Sequence, residues 1–413
     1  MRRGTAMMAA AKHGLIVYLG TAVSSLVMLA AKVYINKALG TEALGQYELG
    51  LSLILLISVF AMFGFPTSIA RIVAKRGTAA YSLVRTAFLW VACVCAATTA
   101  ISNPLVNWAY RGKVEPNFVL YLSLLLFAVC LLNLNMAFYQ GKQKMTHVSL
   151  ITALDSIARG AAVGVSVIFA FSAQSLLLTM GLFSLAFELV VTSRFFPRLT
   201  DEARGGGQFR ELAHLSFYIF LIGASGAIST RVSAFVIAYR LDSLNLGWFA
   251  MATLFTLPLS LLGKTIETVL LPRASASGHF PLRKFGAMAF AVALGAVLFY
   301  AVASDTVMLV FGRGNTEAVR ALKALSIGYS AVVVYSVFSA YIFGRGPPSF
   351  LGRLVALTFI GSAATAPSLN AYLVEEMGLM GAAWATNISL LMQTCLWMIA
   401  GLLLEKRAGS EWV

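Results

Sequence analysis

Apolar runs of roughly 20 residues recur along the chain and restrict what it can fold into. A run of about 20 apolar residues crosses the hydrocarbon core of a bilayer as one α-helix. Only 11% of the residues are charged, against about 25% in soluble domains. We therefore predict an all-α integral membrane protein with twelve transmembrane helices. The predicted spans are residues 14–36, 47–66, 84–102, 117–139, 148–171, 175–195, 214–238, 247–271, 285–303, 320–342, 354–373 and 380–404.

The basic residues of the loops predict the orientation of these spans. Twenty lysines and arginines lie in the set of loops that contains both termini, and six lie in the alternate set. Cytoplasmic loops of membrane proteins carry such an excess. We therefore place the protein in the plasma (inner) membrane with the N- and C-termini cytoplasmic. This distribution explains the net charge of +15 as topology, so we expect no nucleic-acid partner.

Other sequence features argue against a signal peptide, a metal site and an enzyme. The first apolar run is too long for the core of a signal peptide, so we predict that it is retained. All four cysteines lie in apolar runs and all four histidines lie near segment ends, so we expect neither a metal nor a cofactor. There is no Ser/His/Asp arrangement and no external loop large enough for an enzymatic site. We predict no catalytic residues.

A faint internal repeat divides the predicted spans six from six. Leu44-Gly45-Gln46-Tyr47 matches Leu246-Gly247-Trp248-Phe249 at an offset of 202 residues, and Arg71 meets Arg273 at the same offset. Because six helices is an even number, both copies enter the membrane from the same side. The pseudo-twofold axis should then run along the membrane normal and leave a cleft between two six-helix bundles. The predicted domains are residues 1–196, a cytoplasmic linker 197–213, and residues 214–413.

Polar side chains at helical spacing run along the eighth predicted span. They are Thr253, Thr256, Ser260, Lys264 and Glu267. Steps of 3, 4, 4 and 3 residues place them on one face of a helix. Turning that face to lipid costs a few kcal/mol per charge, so we predict that it lines a cavity. Two alternatives remain: Lys264 and Glu267 neutralise each other between helices, or Lys264 extends to the cytoplasmic interface.

Two further cations lie at similar depth in other predicted spans. Lys32 shares a face of the first span with Thr21 and Ser25, and Arg231 lies in the seventh span. One hypothesis is that both extend to the membrane surface. The other is that they form, together with Lys264, a cationic ring between the two halves that binds an anionic group.

Three charged residues lie in the fifth and sixth predicted spans. Asp155 and Arg159 are separated by one helical turn, so we expect them to neutralise each other. Carboxylates inside the membrane also serve transporters as ion-coupling groups. Asp155 and Glu188 are therefore candidates for proton or sodium coupling.

Several segments resemble the polysaccharide-biosynthesis flippases of the multidrug/oligosaccharidyl-lipid/polysaccharide exporter superfamily. They follow one another in the same order along nearly the whole chain: residues 38–71, 139–159, 244–275, 304–314 and 369–389. The resemblance implies two six-helix bundles that move lipid-linked sugars outward by alternating access. With room for twelve helices, this chain resembles the O-antigen, capsule or archaeal glycan flippases more than it resembles the related lipid II flippases.

The resemblance also implies a substrate, a polyprenyl-diphosphate-linked oligosaccharide made in the cytoplasm. Lys32, Arg231 and Lys264 would then hold its diphosphate. The implied partners are membrane lipids, a coupling H⁺ or Na⁺ and the proteins of glycan assembly. The alternative is a cation-coupled multidrug exporter of the same superfamily. Such proteins favour acidic cavities, whereas the predicted spans hold five basic and three acidic residues, which disfavours this alternative. A third hypothesis, a membrane enzyme such as a glycan ligase, would need a large external loop.

Overall fold

The structure, a computed structural model, describes residues 2–76, 81–109, 118–169, 172–194, 209–276, 280–311, 316–358 and 364–410. Within these ranges the chain forms fifteen α-helices and no β-strand. They are α1 (Arg2–Ala38), α2 (Thr41–Met62), α3 (Phe65–Arg76), α4 (Tyr81–Ala109), α5 (Phe118–Gly141), α6 (Met145–Ile168), α7 (Ala173–Ser193), α8 (Phe209–Arg240), α9 (Ser243–Phe255), α10 (Leu257–Ala276), α11 (Leu282–Phe311), α12 (Thr316–Arg345), α13 (Pro348–Thr358), α14 (Thr365–Met377) and α15 (Leu379–Ser410). The predicted all-α membrane fold is confirmed.

The helices reproduce most of the predicted spans. Within the described ranges, ten helices are long and apolar enough to cross a membrane, and the bent pair α9 and α10 makes an eleventh. The predicted span 354–373 falls instead on two short helices, α13 of 11 residues and α14 of 13 residues. The segment that joins them, residues 359–363, lies outside the described residues.

The chain divides into two compact units. The first, which we call the N unit, comprises Leu19–Ala227 and Asp242–Gly247. The second, the C unit, comprises Met1–Tyr18, Ile228–Leu241 and Trp248–Val413. Most of the predicted linker, residues 197–208, lies outside the described residues, and its last five residues begin α8. The division at residues 197–213 stays a prediction.

The N unit is built around α5. This helix contacts α2, α3, α4, α6 and α7, and its leucines Leu122, Leu125 and Leu134 are almost fully buried. Helix α7 approaches most closely at Gly181, where a Cβ atom would lie 2.7 Å from the backbone nitrogen of Leu125. Small residues permit such close packing between membrane helices.

The C unit is built around α12, which contacts α10, α11 and α15. The amide of Asn387 on α15 binds the backbone of α12 at two points. Its Nδ2 donates to the carbonyl of Ala324 at 2.7 Å, and its Oδ1 accepts from the backbone nitrogen of Gly328 at 3.0 Å. In a regular helix these two backbone groups would pair with each other, four residues apart. One buried amide therefore satisfies the two polar groups of a single helical turn.

The polar stripe predicted on one continuous helix is interrupted at Thr256. Helices α9 and α10 meet there at a bend of 51°. Pro258 supplies the physical reason, because it lacks an N–H and its ring clashes with the carbonyl four residues earlier. The Thr256 hydroxyl donates to the Thr253 carbonyl at 2.7 Å and is fully buried at the break. The bend thus divides the stripe between two helices, and a cavity-lining role for Thr256 stays a prediction.

Candidate functional site

The polar face of α10 continues beyond the bend. Ser260, Lys264 and Glu267 keep their helical spacing there, and Thr253 remains half-buried on α9. The Glu267 carboxylate accepts a hydrogen bond from the Ser339 hydroxyl of α12 at 2.8 Å. The Glu267 carboxylate is thus directed toward another helix of the C unit, as the cost of exposing charge to lipid requires.

Lys264 is an exposed cation within a membrane-spanning helix. Among the described residues no carboxylate lies within ion-pair distance of its Nζ atom, and Glu267 is held by Ser339 instead. Lys264 and Glu267 therefore form no direct ion pair, although their charges act on each other electrostatically along the helix. A lysine in this state retains its capacity to bind an anion.

An aromatic wall lies one helical turn from Ser339. The ring of Tyr335 packs edge-on against Trp397 of α15, with the centroids 5.1 Å apart, and Phe343 contacts the same indole at 5.2 Å. Trp397 is fully buried. This packing fixes the part of α12 that positions Ser339 and, through it, the carboxylate of Glu267. Arg231, the remaining predicted cation of the C unit, is half-buried on α8.

In the N unit, Lys32 is paired. Its Nζ atom donates to the Glu48 carboxylate of α2 at 2.5 Å, and both side chains are buried. Thr41 and Asn36 form a second link between α1 and α2, with the threonine hydroxyl donating to the amide oxygen at 2.9 Å. Sequence reasoning placed Lys32 on a polar face but missed Glu48, although Glu48 lies inside the predicted span 47–66.

The hydroxyls that share the Lys32 face are also engaged. Thr21 is buried, and the Ser25 hydroxyl donates to the Thr21 carbonyl at 2.7 Å. The neighbouring Ser24 hydrogen-bonds to Ser156 of α6. In this structure the polar stripe of α1 is therefore partly used for contacts within the helix and with α6.

Asp155 and Arg159 neutralise each other, as predicted. Their ion pair measures 2.8 Å, from Nη2 to Oδ2, and the carboxylate of Asp155 is almost fully buried. The Ser184 hydroxyl of α7 donates to the other carboxylate oxygen and accepts from the Arg159 Nε at 3.3 Å. Ser184, which the sequence analysis did not single out, therefore hydrogen-bonds both members of the ion pair.

Glu188 lies one turn beyond Ser184 and is fully buried. Its Oε2 accepts a hydrogen bond from Asn135 of α5 at 2.6 Å, and Asn135 in turn accepts from the Thr192 hydroxyl at 3.2 Å. The Oε1 atom of Glu188 is buried and has no hydrogen-bond partner among the described residues. Of the two predicted coupling carboxylates, Glu188 is the one with an unused oxygen.

The arginines that the repeat relates share an environment. Arg71 lies near the end of α3 and Arg273 near the end of α10, outside the membrane-spanning segments. Both are half-buried, and in each case burial lowers the pKa of the guanidinium. Arginine titrates far above neutrality, so both stay cationic.

Comparison with known proteins identifies the family. Residues 35–320 match the family model of the polysaccharide biosynthesis proteins. The chain belongs to this family. A search of curated protein sequences finds no match.

Solved structures show which fold the family member has. An outward-facing multidrug resistance MATE transporter of the MOP superfamily aligns over 97% of this chain and 96% of its own, with a TM-score of 0.69 and 15% identity. A MATE protein in the straight conformation aligns over the same shares with a TM-score of 0.69 and 16% identity. A MOP superfamily transporter from Pyrococcus furiosus, described as having a binding pocket of reverse polarity, gives 0.65 and 16%, again over 97% and 96%. The fold is that of a membrane transporter of this superfamily.

Proposed function

We propose that this protein moves a polyprenyl-diphosphate-linked oligosaccharide from the cytoplasmic to the outer leaflet by alternating access. Two findings support the proposal: the chain belongs to the polysaccharide biosynthesis protein family, and its fold is that of MOP superfamily transporters. The product would serve the assembly of cell-surface polysaccharide. No covalent step is involved.

The exposed state of Lys264 is the observation that carries the proposal. An ionisable side chain inside a membrane helix is expensive, and the usual reason for retaining one is function. No described carboxylate forms an ion pair with Lys264, and Glu267 accepts its hydrogen bond from Ser339, so the charge of Lys264 would be available to a ligand. A diphosphate group offers that lysine an anionic partner.

Lys32 and Arg231 would contribute further positive charge to the diphosphate. Lys32 is held by Glu48 at 2.5 Å, so an anionic substrate would compete with this carboxylate. The hydroxyls of Thr21, Ser25, Thr253 and Ser260 would supply the neutral polar lining near these cations. Glu267 would act through its position on the same face as Lys264.

Ion coupling would use Glu188 in preference to Asp155. Asp155 is neutralised by Arg159, whereas Glu188 has a buried oxygen without a hydrogen-bond partner among the described residues. A carboxylate in that state is suited to take up a proton or Na⁺. We place the protein in the plasma (inner) membrane, with both termini cytoplasmic, in association with glycan-assembly proteins.

A cation-coupled multidrug exporter is the second candidate. The structural neighbours include multidrug MATE proteins, and Glu48 adds a fourth acidic residue to the membrane-spanning segments. The near balance of acidic and basic groups weakens the charge argument that disfavours this function. At 15% identity, however, the likeness concerns the fold alone.

The deciding experiment measures the pool of lipid-linked glycan after depletion of the protein in its host. Parallel strains carry Lys264→Ala or, as a matched control, Lys323→Ala, which removes an exposed lysine already paired with Asp305 at 2.6 Å. We expect polyprenyl-diphosphate oligosaccharide to accumulate on the cytoplasmic side after depletion and with Lys264→Ala, but not with Lys323→Ala. An unchanged pool with raised sensitivity to cationic dyes would establish the exporter instead.

A further inference from the structure

Two helix starts cross each other with backbone against backbone. A Cβ atom on Gly45 of α2 would lie 1.9 Å from the carbonyl oxygen of Ser243. A Cβ atom on Gly247 of α9 would lie 2.1 Å from the carbonyl oxygen of Thr41. Side chains larger than hydrogen cannot occupy either position without moving the backbone opposite. Both segments belong to the N unit.

The crossing is symmetric in sequence. Thr41 and Ser243 are 202 residues apart, and so are Gly45 and Gly247. The first residue of each segment therefore contacts the glycine of the other, as in an interface made by one patch with its own copy. The weak repeat seen in the sequence thus coincides with a contact that the two repeat copies make with each other. This agreement argues that the glycines serve the contact.

Each segment is stabilised on its own side of the crossing. Thr41 is bound to Asn36 of α1, and Gly40 enters α2 with a positive φ of 93°. Asp242 accepts hydrogen bonds from the backbone nitrogen of Asn245 at 2.7 Å and from its amide at 3.0 Å. Both helix starts therefore have local hydrogen bonds that do not depend on the other segment.

Only close packing holds the two segments together. No hydrogen bond or ion pair joins Thr41–Gly45 to Ser243–Gly247 in the described structure. At each position the contact lies within the first two turns of a helix. Two backbones in van der Waals contact can separate without leaving a polar group that was bonded across the contact unsatisfied.

We propose that Thr41–Gly45 and Ser243–Gly247 form a symmetric clasp that opens and closes once in each transport cycle. The loops before α2 and α9 belong to the set that the basic residues predict to be external, so the clasp would act on the external side. This inference rests on alternating access in the proposed function. In this proposal, two glycines and two backbone carbonyls close the transport path on the external side, and charged side chains take no part.

The first test prevents the clasp from opening. Thr41→Cys and Ser243→Cys are combined in a chain whose native cysteines at 93, 95, 130 and 395 are replaced by alanine. A short bifunctional thiol reagent then links the segments, while both glycines stay intact. We expect the linked protein to stop delivering glycan and to recover when the link is reduced. Each single-cysteine variant, treated in the same way, should keep its activity. Full activity of the linked protein would overturn the clasp.

The second test prevents the clasp from closing and needs no substrate. A reporter, Leu246→Cys, replaces a side chain that is 1% exposed beside the crossing. Adding Gly45→Ala should speed its labelling by an external, membrane-impermeant thiol reagent about tenfold, because overpacking disfavours the closed contact. Gly164→Ala is the matched control, since nothing lies within 4 Å of the added methyl group. Equal labelling rates in the two variants would overturn the proposal.

The two proposals fail in different measurements. If the flippase function is wrong, depletion leaves the lipid-linked glycan pool unchanged, while the labelling of Leu246→Cys still responds to Gly45→Ala. If the clasp is wrong, the pool accumulates on depletion, while labelling is the same with Gly45→Ala as with Gly164→Ala.

Discussion

The N unit and the C unit treat their membrane-embedded charges in different ways. In the N unit Lys32 is paired with Glu48, Arg159 with Asp155, and Glu188 with the amide of Asn135. In the C unit Lys264 is exposed and forms no ion pair with a described carboxylate, and Glu267 accepts a hydrogen bond from the Ser339 hydroxyl. Removing one member of a buried ion pair strongly destabilises a protein, whereas removing an unpaired exposed charge does not. These N-unit charges are therefore engaged by neighbouring side chains, and we propose that Lys264 of the C unit is the charge most readily available to a ligand.

The largest expected effect follows from unpairing Arg159. Asp155→Asn removes the carboxylate that forms the ion pair with Arg159, and we expect a loss of about 3–5 kcal/mol in the free energy of unfolding. Denaturant unfolding of the purified protein in detergent measures this loss. The double variant Asp155→Asn/Arg159→Met, which removes both charges, should recover most of the stability. Wild-type stability of the single variant would contradict the assigned role of the pair.

A direct comparison of the two units uses one substitution at two lysines. Lys32→Met removes the cation that neutralises the buried Glu48 carboxylate, so we expect a loss of about 2–3 kcal/mol in stability. Lys264→Met removes an exposed charge and should change stability by less than about 0.5 kcal/mol, while transport is lost. Thermal unfolding and glycan delivery are measured on both variants. An equal loss of stability in Lys264→Met and Lys32→Met would contradict the proposed difference between the two units.

The amide of Asn387 shows how the C unit satisfies polar groups without charge. Asn387→Leu removes both bonds to α12 and leaves the Ala324 carbonyl and the Gly328 N–H to each other. We expect a loss of about 2 kcal/mol in stability, since two buried polar contacts disappear. Denaturant unfolding measures the change. Thr394→Ala is the control, because the Thr394 hydroxyl contacts α12 only weakly, at 3.3 Å from the Ala331 carbonyl, and bonds the Leu390 carbonyl of its own helix at 2.8 Å. A smaller loss for Asn387→Leu than for Thr394→Ala would count against the bridge.

The smallest expected effect concerns the hydroxyl that binds Glu267. Ser339→Ala removes the hydrogen bond to Glu267 and should cost about 1 kcal/mol in stability. Ser336→Ala, one turn earlier, is the matched control, because its hydroxyl bonds the Val332 carbonyl of the same helix at 2.8 Å. Unfolding curves of the two variants should differ by that amount. Coincident curves would show that Glu267 does not depend on α12.

The pattern of apolar runs and loop charges carried most of the fold prediction. Long runs predict membrane helices reliably because lipid leaves the backbone few alternatives. The bend at Thr256 was missed, although Pro258 is visible in the sequence, since a proline in a membrane helix is compatible with a kink or with a break. The short helices α13 and α14 also differ from the single predicted span. The repeat at an offset of 202 residues was recognised, but its use as a contact was not.

By itself, the sequence determined that the chain is a membrane protein, which residues carry charge inside the spans, and that Asp155 and Arg159 pair. Neighbours four residues apart on a helix meet whatever the tertiary structure is. Only the tertiary structure decided that Lys32 pairs with Glu48 and that Glu188 binds Asn135. It also decided that Lys264 forms no ion pair with a described carboxylate. Those partners lie on other helices, and helical periodicity tells which face a residue occupies but not which helix packs against it.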